Sequence, residues 1–128
     1  MRLSHVTLLV SDMARARDFY QRFGLKLLVD TPHYCRFLAR PDEDGGTETL
    51  SLQIHDGPIT PAGHIGFEFD SPEALDAFVE QLKAKGFAVE GPQDRRWLWR
   101  DAILHDPDGH ELLLLYAGEN KLNPPWRV

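Results

Sequence analysis

The strongest constraint on this chain is that it repeats itself. His5 and His64, Phe19 and Phe78, and Phe23 and Leu82 each stand 59 residues apart. A constant offset sustained along a chain marks two copies of one supersecondary unit. Within each copy the apolar residues alternate, then recur at helical spacing, then alternate again. That pattern reads as a strand, a helix and three further strands. One copy alone cannot cover both faces of its own sheet, so the copies must pack together or exchange between chains.

In the first copy, Leu3 to Val10 alternates, with His5, Thr7 and Leu9 on one face and Val6, Leu8 and Val10 on the other. Asp12 is placed to cap a helix from about Met13 to Phe23, whose stripe is Met13, Ala16, Phe19, Tyr20 and Phe23. Gly24 ends it. Strands are expected at Leu25 to Val29, Tyr34 to Leu38 and Thr49 to His55, with the acidic, glycine-containing stretch Pro41 to Gly46 as a hairpin loop. Residues 56–63, with two prolines and two glycines, form the linker.

The second copy opens with a strand from His64 to Phe69. Ser71 caps a helix that starts at Pro72, carries Glu73 in its first turn and the stripe Leu75, Phe78, Val79 and Leu82, and stops at Gly86. Strands follow at Phe87 to Glu90, Trp97 to Leu104 and Glu111 to Tyr116, the last after the turn Asp106-Pro107-Asp108-Gly109. The tail from Ala117 to Val128, with Asn123-Pro124-Pro125-Trp126, is expected to be extended. The fold class is therefore α+β: one domain over residues 1–128, with a first βαβββ module at about 3–55 and a second at about 64–116.

Composition narrows the partners. The formal net charge is −6, which disfavours nucleic acid, since phosphate binding needs clustered Lys and Arg. Cys35 is the one cysteine, so no disulfide can form within the chain, and a reducing compartment fits. It is expected to be a buried or half-buried small residue rather than a nucleophile. No apolar run approaches the roughly 20 residues that span a bilayer, and the first residues lack a signal-peptide stretch. The expectation is a cytoplasmic protein without membrane contact.

Three segments carry a resemblance. They are His5-Val6-Thr7-Leu8-Leu9-Val10-Ser11-Asp12 with Phe19-Tyr20 and Phe23-Gly24-Leu25, then His64-Ile65-Gly66-Phe67, then Asp106-Pro107-Asp108-Gly109-His110-Glu111-Leu112. In this order they resemble the vicinal-oxygen-chelate superfamily, the glyoxalase, bleomycin resistance protein and dioxygenase group. The resemblance covers Leu3 to Tyr116 and implies two βαβββ modules forming an open, barrel-like mixed sheet. It also implies one divalent metal ion, Fe(II), Mn(II), Zn(II) or Ni(II), held by His5, His64 and Glu111. Parity agrees, because His5 and His64 point away from the apolar, helix-facing residues of their strands. Two imidazoles and a carboxylate leave positions open on a six-coordinate ion.

The implied function is a metal-dependent enzyme in which adjacent oxygens of a small substrate chelate the ion, with Glu111 in the catalytic set. Lyase or isomerase, thiol transferase and dioxygenase chemistry all remain open. Glyoxalase I resembles a four-ligand site, and the matching place here is expected within Leu50-Ser51-Leu52-Gln53, where no carboxylate stands. Gln53 or Ser51 is then a weak fourth ligand or a support behind the ligands. Tyr116 has the wrong parity for an acid-base role, and His33, His55, His105 and His110 are expected at the surface or in loops. Trp97 and Trp99 are candidates for stacking on substrate, and Arg100, with Arg95 and Arg96, for binding an anion. The alternative is a metal-free protein that sequesters a drug or metabolite. A homodimer is expected in either case, because small domains of this family bury their sheet edges by pairing.

Overall fold

The computed structural model describes residues 1–40, 45–61 and 63–128, so Pro41 to Asp44, most of the expected hairpin loop, lie outside the described residues. The order of elements is β1 (His5–Val10), α1 (Met13–Phe23), β2 (Lys26–Asp30), β3 (Tyr34–Leu38), β4 (Thr49–Ile54), β5 (His64–Glu68), α2 (Pro72–Ala84), β6 (Glu90–Asp94), β7 (Arg100–His105) and β8 (Glu111–Tyr116). This is βαβββ twice. The strands form two four-stranded sheets, ordered β1-β4-β3-β2 and β5-β8-β7-β6. In each, the first strand of the module runs parallel to the last and the other pairs are antiparallel.

The chain divides into two compact units. The first holds Met1–Pro61 together with Asp106–His110, and the second holds Ala62–His105 and Glu111–Val128. Local chemistry explains the helices of both. The Asp12 carboxylate accepts from the Arg15 amide at 3.1 Å, and the Ser71 hydroxyl accepts from the Ala74 amide at 3.0 Å. Each satisfies an amide that has no partner in the first turn. Gly24, at φ 121°, closes α1 in a backbone region that other residues enter only with strain.

In the first unit, α1 buries Met13, Ala16, Tyr20 and Phe23 together with Leu8, Val10, Cys35, Phe37, Leu50 and Leu52. In the second, α2 buries Leu75, Val79 and Leu82, and the sheet buries Ala102, Leu104, Leu112 and Leu114. The second unit adds an apolar patch of the opposite strand parity, in which Trp99 and Ile103 pack on Leu113, Leu115 and Ala117. Cys35 is fully buried, as expected.

The turn Asp106 to His110 belongs to the first unit although it joins β7 to β8. Asp106, 5 % exposed, accepts the Tyr20 hydroxyl at 2.7 Å and the amides of Asp108 and His110 at 3.0 and 2.9 Å. Asp108 accepts from the amide and hydroxyl of Ser11. The ring of His110 meets the Leu9 carbonyl at 2.8 Å. His110 is therefore half-buried and engaged rather than a free surface residue.

Three expectations need correction. The strand expected at Phe87 to Glu90 instead runs Glu90–Asp94. Its sequence, Glu-Gly-Pro-Gln-Asp, has little strand character, but β6 is an edge strand, where a proline costs no ladder bond that matters. The next strand starts at Arg100, not Trp97, because Arg96, Trp97 and Leu98 form the tight hairpin turn, in which the Leu98 amide donates to the Arg95 carbonyl at 3.0 Å. The tail is not simply extended: Gly118–Lys121 is one turn of 3-10 helix, and Lys121 reaches Glu68 at 2.8 Å. No helix among the described residues is long and apolar enough to cross a membrane.

Candidate functional site

Strand register decides which predicted ligands one module can gather by itself. In the second unit His64 and Glu111 are direct partners across the parallel pair β5–β8. Residues opposite one another on neighbouring strands share a face. His64 Nδ1 lies 3.6 Å from one Glu111 oxygen. His105 is the partner of Glu111 on the other side, across β7–β8, and its Nε2 lies 3.6 Å from the second oxygen. The carboxylate thus stands between two imidazoles in one row over three strands. These side chains are a third to a half exposed, so solvent and ligands reach them.

His105 was expected to be a solvent or loop residue. It ends β7, and the turn 106–110 separates it from Glu111. A hairpin that closes over a short turn pairs the residues flanking that turn, so the juxtaposition follows from the position of the turn itself.

His5 occupies in β1 the place that His64 holds in β5, and it too is exposed, its ring 3.3 Å from the Ser4 hydroxyl. Its partner on β4 is Thr49. The first-module counterpart of Glu111 is therefore Thr49, and neither Ser51 nor Gln53 lines up with His5. That register partner falls one residue before the Leu50 to Gln53 stretch in which a fourth ligand is expected. Among the described residues, no group of three or more His, Cys, Asp or Glu is gathered so as to hold a metal ion. The pair His64 and Glu111 is the part of the predicted triad that lies within a single unit.

Ser51 has another role. It is 1 % exposed, and its hydroxyl lies 2.7 Å from the Tyr34 hydroxyl. Arg36, the strand partner of Ser51, donates from Nε to the same phenol oxygen at 2.9 Å, and its guanidinium carbon lies 5.4 Å from the centre of the Tyr34 ring. The hydrogen bond with Ser51 draws the phenol below its ordinary value; burial opposes it, and the bond from and charge of Arg36 add smaller effects in the same downward direction. Parity puts Tyr34, Arg36, Ser51, Thr7 and His5 on one face of the first sheet. No local motif marks this cluster, because it depends on the register between β3 and β4.

The remaining candidates are placed as follows. Gln53 is half-buried and pairs with Tyr34 in register. Trp97 is exposed in the β6–β7 turn with the Arg95 guanidinium carbon 5.5 Å from its ring centre. Trp99 packs on the apolar patch of the second sheet, which has the parity of Glu111. Arg100 pairs with Tyr116 and so has the opposite parity. Its guanidinium holds Asp76 of α2 at 2.8 and 3.1 Å and Asp94 at 3.1 Å, which leaves little of it for a ligand. Arg95 is likewise taken up, by Asp101 at 2.9 Å.

Residues 2–114 match the family model of the glyoxalase/bleomycin resistance protein/dioxygenase superfamily. Among solved structures, a glyoxalase/bleomycin resistance protein/dioxygenase from Nocardioides is 19% identical, with a TM-score of 0.78 over 100% of this chain and 89% of that one. An antibiotic binding protein from Streptomyces sp. CB03234 is 27% identical, with a TM-score of 0.71 over 91% of this chain and 95% of that one. A bleomycin-binding protein, solved with bleomycin, is 21% identical, with a TM-score of 0.72 over 91% of this chain and 98% of that one. No curated protein matches the chain.

Proposed function

Because the chain belongs to the glyoxalase/bleomycin resistance protein/dioxygenase superfamily, we propose that it acts on a small oxygenated molecule with the help of one divalent metal ion. His5, His64 and Glu111 would hold that ion. The observation that carries this reading is the row His64, Glu111, His105: a carboxylate 3.6 Å from each of two imidazoles, open to solvent, with no Lys or Arg paired to it among the described residues. Two neutral nitrogen donors and one anionic oxygen fit a first-row divalent ion such as Fe(II), Mn(II), Zn(II) or Ni(II). When bound, such an ion supplies a Lewis acid for adjacent substrate oxygens. The chain's own residues would orient the substrate: Glu111 by fixing charge at the end of β8, and the Leu113, Leu115 and Trp99 patch by excluding water.

Metal analysis of untagged protein tests this reading. About one equivalent of a transition metal, lost in a His5→Ala, His64→Ala double variant, supports it. Protein that takes up no metal, even when the ion is supplied, sinks it.

A second reading, a metal-free binding protein, is favoured by one observation: Thr49 stands where a second carboxylate would complete a four-ligand site. The antibiotic- and bleomycin-binding relatives agree with it. It predicts tight binding of an aromatic drug such as bleomycin to metal-free protein, read as tryptophan quenching. Reaction type, a dimeric state and a cytoplasmic location remain parts of the proposal.

A further inference from the structure

Among the described residues two arginines are carried by strands, Arg36 and Arg100. Their surroundings differ in the one respect that matters for an anion. Arg100 is neutralised by two carboxylates, Asp76 and Asp94. Arg36 has no carboxylate partner among the described residues; its bonded neighbour is a phenol. The chain's net charge is −6, yet no acidic side chain among the described residues neutralises this guanidinium, which is left able to take an external anion.

The guanidinium is also held in place. Nε donates to the Tyr34 hydroxyl at 2.9 Å, and the group lies over the same ring. The phenol is itself anchored by the buried Ser51 hydroxyl at 2.7 Å. With Nε engaged, the two terminal nitrogens remain, and they present the planar fork that a carboxylate accepts from bidentately. A donor fixed before binding loses little side-chain freedom when the ligand arrives. Arg36 lies two strands from β1 and lines up through Ser51 with Thr7, two residues beyond His5, so the backbones of Arg36 and His5 stand roughly 12 Å apart on one face.

We propose that Arg36, fixed by Tyr34 and Ser51, is a carboxylate-binding group, and that the small molecule received on this face is an organic acid. This rests on the reading that the face receives a small ligand, and it does not depend on a metal ion.

The test uses the full-length, metal-free protein and two probes of like shape, benzoate and benzamide, followed by calorimetry and by the arginine Nε–H signals in nitrogen-15 NMR. Benzoate is expected to bind, to shift the Arg36 signal, and to bind at least about tenfold more tightly than benzamide. Arg36→Gln is expected to remove that preference, while Arg100→Gln keeps it. Tyr34→Phe, which leaves the guanidinium but frees it, is expected to weaken benzoate part-way, and it serves if Arg36→Gln does not fold. Equal binding of the two probes, no binding of benzoate, or an undiminished preference in Arg36→Gln overturns the proposal. A protein that takes up no metal but passes this test loses the metal reading alone.

Discussion

Tyr20 donates its hydroxyl to Asp106 at 2.7 Å, and both groups are buried. The bond joins the core face of α1 to the turn preceding β8. A neutral donor to a buried carboxylate is one of the more valuable hydrogen bonds, because its loss leaves charge undersolvated. Tyr20→Phe keeps the ring against Phe37 and removes only the bond. It is expected to destabilise the protein by about 1.5–3 kcal/mol, seen as a lower urea midpoint with an unchanged slope. A midpoint equal to wild type would show that the bond contributes nothing net.

The same bond makes stability depend on pH in the alkaline range. Burial first, then the charge of Asp106, pushes the Tyr20 phenol far above its ordinary value of 10.0. The folded state therefore binds this proton more tightly than the unfolded chain does. Stability from it is complete below the unfolded value and is lost as pH rises from there toward the folded one. Tyr34 is shifted the other way, but it lies largely in solvent and contributes little. Chemical denaturation at pH 8 to 11 is expected to show a decline that begins near 10 in wild type and is shallower in Tyr20→Phe.

Much of this was legible in the sequence. The repeat of His5 and His64, the caps Asp12 and Ser71, and the stops Gly24 and Gly86 are local signals, and both helices formed as they dictate. β6 was misplaced because Glu90–Asp94 is a strand by virtue of its partner β7, not by its own residues. Partnership also hid the finer features of the site. That Thr49 faces His5, that His105 faces Glu111, and that Ser51 and Arg36 meet over Tyr34 are facts of register. Parity along one strand gives a side chain's face, but its neighbour across the sheet depends on where the intervening turn closes.

Arg100 is expected to be a structural residue. Its fork holds Asp76 on α2, at a site about a quarter exposed on the arginine and nearly half exposed on the aspartate. Exposed pairs of this kind stabilise by about 0–1 kcal/mol, with two parallel bonds favouring the upper end. Arg100→Gln should lower the urea midpoint slightly, more so at low salt, and leave benzoate affinity unchanged. A large loss of ligand binding in this variant would return Arg100 to the site.

His105 separates the metal reading from its alternative. Its Nε2 lies 3.6 Å from the Glu111 oxygen that His64 does not approach. A ring in that place limits how the carboxylate can turn, and a neighbour that fixes a carboxylate's orientation strengthens it as a metal ligand. Zinc or cobalt titration of the metal-free protein should show affinity about tenfold weaker in His105→Ala, with a larger loss in Glu111→Gln. His110→Ala is the matched control, since that ring bonds the Leu9 carbonyl and its removal should lower stability while leaving metal affinity alone. If His105→Ala and His110→Ala bind metal equally well, His105 is a bystander in the row and Glu111 is oriented by its strand alone.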